Sequence, residues 1–152
     1  MQASRLRKFG ALSWAEKLVF LRACVTLPLI AIVLWRAGLA RCQRWITGVS
    51  AKGAETPALD RALKTARLIN AAAHHGIYRA NCLERSLALA FELRRNGIES
   101  QLRIGVSSGN GFQAHAWIEM DGVVLNDSPF VAGEYKPFAE TIALQSKGYR
   151  IV

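Results

Sequence analysis

Apolar positions along the chain repeat at helical spacing up to about residue 97 and alternate after residue 100. Ser13-Trp14-Ala15-Glu16 has the spacing of a capping box. In that arrangement the Ser side chain accepts from the third helical N–H and Glu16 reaches back to the cap. It predicts a helix from there to about Thr26. Pro28 suits a first turn, where its missing N–H is not needed, and predicts a second helix ending near Thr47-Gly48. Residues 50–56 read as a linker. Thr56-Pro57 then looks like a cap followed by proline at the first helical position. Leu59, Leu63, Ala66, Ile69 and Ala73 continue that helix, and Gly76 stops it. Asn81 and Glu84 make a second capping box ahead of Leu83, Leu87, Ala90 and Phe91, and Gly97 ends that helix.

The alternating part predicts strands over Gln101–Val106 and Phe112–Met120, separated by the turn-rich Ser107–Gly111. Asp121-Gly122 is a hairpin signal, with Val123–Asp127 as the returning strand. The last 25 residues carry little pattern. Helices first and an antiparallel sheet afterwards define an α+β fold.

Composition narrows the picture. At 51% apolar and 20% charged, a chain of 152 residues fits one globular domain, and no repeat suggests a solenoid. The three cysteines, Cys24, Cys42 and Cys82, include no CxxC pair. That argues against a disulfide framework and a zinc knuckle and favours a reducing, cytoplasmic setting. The net charge of +9 is uneven: residues 1–50 carry eight Lys/Arg against one Glu. Such an excess suits a solvated basic face, an acidic partner or an anionic membrane surface. No nucleic-acid-binding motif accompanies it. The uncharged run Ala23–Trp35 is short of the roughly 20 residues that span a bilayer, and reads as a buried helix.

Chemistry concentrates at three positions. Cys82 falls in the first turn of its helix, where N–H groups and the dipole favour an anion, so its thiolate is a candidate nucleophile. His115 lies in Phe112-Gln113-Ala114-His115-Ala116-Trp117-Ile118-Glu119, a strand with large apolar residues on both faces and therefore central. It is the candidate base. Asp127 depends on hairpin register. A two-residue Asp121-Gly122 turn places Ser128 opposite His115, with Asn126 as the orienting group. A three-residue loop with Gly122 in a bulge places Asp127 directly opposite His115. The Cys82 backbone N–H is a natural oxyanion donor, with Asn81 and Gln101 as candidates for the second. His74-His75 has no Cys or carboxylate at ligand spacing, so no metal is expected, and no cofactor.

Cys82-Leu83-Glu84-Arg85-Ser86-Leu87-Ala88-Leu89, Ile104-Gly105-Val106, the His115-Ala116-Trp117 segment and Asp121-Gly122 together resemble the lasso peptide B proteins. These are a transglutaminase-like branch of papain-fold cysteine enzymes. The resemblance covers roughly residues 80–130, with Asn81 as a departure from the small residue usual before the Cys. It implies a cysteine endopeptidase that removes the leader from a ribosomally made precursor, with Cys82, His115 and Asp127 as triad. Residues 1–56, whose pattern reads as helices only, are then expected to form a helical segment packed on a transglutaminase-like core over 57–152. The implied partners are the precursor's leader peptide, a separate leader-recognition protein and a lasso cyclase. Peripheral contact with a membrane would be an addition to these. Two other readings stay open: an acyl transferase using the same thioester, and a non-catalytic basic adaptor.

Overall fold

A computed structural model describes residues 10–49, 58–107, 113–138 and 142–143. Three helices come first: α1 (Trp14–Thr47), α2 (Ala58–His75) and α3 (Cys82–Arg95). The sheet strands are β1 (Gln101–Ser107), β2 (Gln113–Met120), β3 (Val123–Val124), β4 (Lys136–Pro137) and β5 (Ile142–Ala143), with the short α4 (Val131–Glu134) preceding β4. The strand order is β3-β2-β1-β4, and β5 pairs with the other half of β1. Every pairing is antiparallel, so the fold is α+β as the pattern predicts.

Both predicted capping boxes are present. Ser13 Oγ accepts from the Glu16 N–H at 3.2 Å while Glu16 takes the Ser13 N–H at 2.7 Å. Asn81 Oδ1 and Glu84 make the same reciprocal pair at 2.9 and 2.8 Å. The two helices predicted on either side of Pro28 are in fact one. Pro28 lies within α1, and the non-helical backbone falls instead at Gly38 (φ 75°, ψ 171°). Proline removes one helical hydrogen bond, but Ala23, Leu27 and Ile30 are buried on both sides of it. Core packing therefore holds the axis through the proline. The predicted linker, the Thr56-Pro57 cap and most of the turn after β1 lie outside the described residues.

α3 is the central element. Its Leu87, Ala88, Leu89, Ala90 and Leu93 are buried in one cluster with Ile69 of α2, Leu27 and Ile30 of α1, and Leu102 and Ile118 of the sheet. Arg22 of α1 reaches into this cluster and clamps the fully buried Glu92 of α3 with two bonds, 3.1 and 2.9 Å long. Gly76 ends α2 where expected, for a packing reason. A Cβ there would lie 2.4 Å from the Ala72 carbonyl oxygen and 3.3 Å from Cys24 Sγ.

The hairpin after β2 is shorter than predicted. Asp121 (φ 49°) and Gly122 (φ 80°) both have positive φ, the signature of a two-residue type I′ turn. The register is Met120↔Val123 and Glu119↔Val124, and the ladder stops there instead of running to Asp127. The tail with little pattern contributes α4, β4 and β5, with both strands on the outer edge of β1.

Candidate active site

Cys82 is the first residue of α3, half-buried, with Asn81 as its cap. One turn further, Ser86 Oγ donates to the Ala116 carbonyl at 3.0 Å. This bond pins the start of α3 beside β2, next to His115. Cys82 stands four residues before Ser86 on the same helix, about one turn or roughly 5.4 Å along the axis.

His115 is half-buried on β2, opposite Gly105 of β1. Gly105 has no side chain to intrude. A Cβ there would lie 3.0 Å from Trp117, from Tyr135 Cβ and from the Lys136 carbonyl oxygen. That space lets Tyr135 and Trp117 close on the imidazole, with ring centroids 4.9 and 6.2 Å away. Trp117 is itself fixed by Glu119, which accepts from its indole N–H at 2.7 Å and from Arg103 at 3.0 Å. A glycine within a strand often marks such a close approach. Tyr135 has no comparable signal, because it comes from the tail with little pattern.

Asp127 Oδ2 lies 2.7 Å from His115 Nε2. This meeting occurs in the two-residue register, the one from which it was not expected. The cause is that the chain leaves the sheet after Val124. The Leu125 N–H still donates to the Ile118 carbonyl at 2.9 Å. The Ile118 N–H, however, donates to the side-chain Oδ1 of Asn126 at 2.8 Å. Asn126 Nδ2 donates in turn to Ser86 Oγ at 3.0 Å, and the Asn126 carbonyl accepts from Asn70 of α2 at 3.1 Å. Asn126 is therefore turned inward, away from the orienting position considered for it, and the bends at 125–127 swing Asp127 back over His115. The second oxygen of Asp127 accepts from the Ser128 N–H at 2.8 Å.

The chemistry of this pair follows from its geometry. A carboxylate only accepts, so the shared hydrogen sits on Nε2 and leaves Nδ1 as the basic nitrogen. Of the candidates for an oxyanion donor beyond the Cys82 N–H, Gln101 is misplaced. It lies four residues along β1 from Gly105, roughly 13 Å at strand spacing. Asn81 caps α3 with its Oδ1, an acceptor, so its Nδ2 is the atom that could donate to an oxyanion. The other two cysteines are core residues: burial pushes the Cys24 and Cys42 thiols up, so both stay protonated near neutral pH. His74 turns its Nδ1 to the Asn70 carbonyl at 2.8 Å.

A helix carrying a cysteine at its start, packed on an antiparallel sheet that carries a histidine, is the architecture of the transglutaminase-like enzymes. The model of the transglutaminase-like superfamily matches residues 26–140, and the chain belongs to that superfamily. Over 67 residues it is 36% identical to the microcin J25-processing protein McjB of Escherichia coli. That stretch is 44% of this chain and 32% of McjB, so the match spans about a third of the relative's length. No solved structure matches the chain significantly.

Proposed function

We propose that the chain is a cysteine endopeptidase that removes the leader from a ribosomally made lasso peptide precursor. The carrying observation is the 2.7 Å His115–Asp127 pair on the strand to which the Cys82 helix start is pinned. The likeness to a microcin-processing protein supports the choice of substrate. In this reading His115 Nδ1 takes the Cys82 proton, and the thiolate attacks the scissile carbonyl. The Cys82 backbone N–H stabilises the oxyanion. The imidazolium then protonates the leaving amine, a thioester remains on Cys82, and a water activated by His115 hydrolyses it. Asp127 keeps the imidazole in the tautomer and orientation that both transfers need. The leader peptide, a separate leader-recognition protein and a lasso cyclase are the partners this role requires, in the cytoplasm.

The test is incubation with the cognate precursor and its recognition protein, read by mass spectrometry. The wild type releases free leader; Cys82→Ala releases none. Asp127→Asn folds normally and loses about 10²–10⁴-fold in rate, because the amide favours the wrong tautomer. Processing by Cys82→Ala at the wild-type rate would overturn the assignment. A product in which the new carboxyl end is joined to an amine would make the chain an acyl transferase.

A further inference from the structure

α1 is apolar on two opposite sides, and the body of the protein uses only one. Ala23, Leu27 and Ile30 face inward and are buried. Leu18, Leu21, Val25, Leu29 and Ile32 recur every three or four residues on the other side, and each is about half exposed or more. The stripe is bracketed by Trp14 and Trp35, 86% and 81% exposed. At 1.5 Å per residue it is about 32 Å long. Single exposed apolar residues are ordinary, but a continuous stripe of this length marks a contact surface.

The charge identifies the occupant. Residues 1–50 carry a net +7, from eight Lys/Arg and one Glu. Two of these cations stand at the ends of the stripe itself. Lys17 lies 5.5 Å from the Trp14 ring and Arg36 lies 5.5 Å from the Trp35 ring. A second copy docking on this face would bring the same cations together, which is unfavourable. An anionic bilayer surface suits every part of it. Apolar side chains sink to the acyl boundary, tryptophans settle at headgroup level, and the cations reach lipid phosphates.

We propose that the outer face of α1 docks the protein on an anionic membrane surface. The helix is long and apolar enough to cross a bilayer, the one such helix among the described residues. It lies on the surface instead. Its inner side is part of the protein core, and Arg22 ties it to the buried Glu92. The inference stands apart from the peptidase reading, since it uses no residue of the candidate site.

Vesicle flotation of the full chain tests it. The protein is expected to float with equimolar phosphatidylglycerol–phosphatidylcholine vesicles, and about tenfold less with phosphatidylcholine alone or in high salt. Leu21→Glu combined with Val25→Glu abolishes flotation without changing the melting temperature, since both side chains are exposed. Lys17→Glu combined with Arg36→Glu removes the preference for anionic lipid. The lipid comparison uses the wild type alone, so it holds even if a variant misfolds. No flotation of the wild type, or equal flotation on both lipids, overturns the proposal. So does a wild-type dimer that the Leu21→Glu, Val25→Glu variant turns into a monomer, because the stripe would then be covered by a second copy.

Discussion

Asn126 does with a side chain what a strand does with its backbone. Its Oδ1 takes the Ile118 N–H that a longer β3 would have paired, and its Nδ2 reaches Ser86 Oγ, which itself holds the Ala116 carbonyl. The residue is 4% exposed, so water cannot replace these partners. Asn126→Ala strands a buried N–H and leaves a buried hydroxyl with one partner fewer. The expected loss is about 2–4 kcal/mol, read from urea unfolding midpoints. Activity should fall as well, at temperatures where the variant is folded, because Asp127 is carried by the same bend. Asp127→Asn, by contrast, keeps the stability and loses the rate, and the pair of variants separates positioning from chemistry.

At the scale of elements, α1 shows where local signals mislead. Pro28 marks a helix start in the sequence, yet the helix passes through it, and the break comes ten residues later at Gly38. Nothing lies within 4 Å of a Cβ built on Gly38, so a side chain there meets strain from the backbone alone. Gly38→Ala is expected to cost about 1–3 kcal/mol, measured by thermal unfolding, with the substitution leaving the core untouched. The helix starts were legible because a capping box is a contact between residues three apart, which the sequence displays directly. The β1–β2 strands and the placing of Cys82 and His115 were legible for the same reason: alternation and caps are local. The meeting of His115 with Asp127 was not. It depends on Asn126 leaving the ladder for partners on α2 and α3, contacts some 40 to 56 residues away. The β4 and β5 strands were hidden because each pairs only two residues with β1, too few to impose a pattern.

Across the whole molecule, α1 joins the rest through its buried apolar side and through one buried ion pair. Glu92 is completely inaccessible and Arg22 satisfies both of its oxygens. Arg22→Met keeps the packing of the aliphatic stem but leaves a carboxylate without its partner. It is expected to lower stability by about 3–5 kcal/mol. Chemical denaturation checks this, and Arg22→Met combined with Glu92→Leu should recover most of the loss, since replacing a buried pair by apolar groups is often near neutral. The same separation of supports appears at the hairpin. Its strand ends two residues beyond the turn, and from Leu125 onward the chain is fastened to helices and to Ile118. The tip at Asp121-Gly122 is thus a spur, free of any duty in setting the distance between acid and base. Residues inserted there would lengthen the spur alone, which makes it a place where a label, or a loop shaped to meet a bound peptide, can be grafted without disturbing the machinery a few residues away.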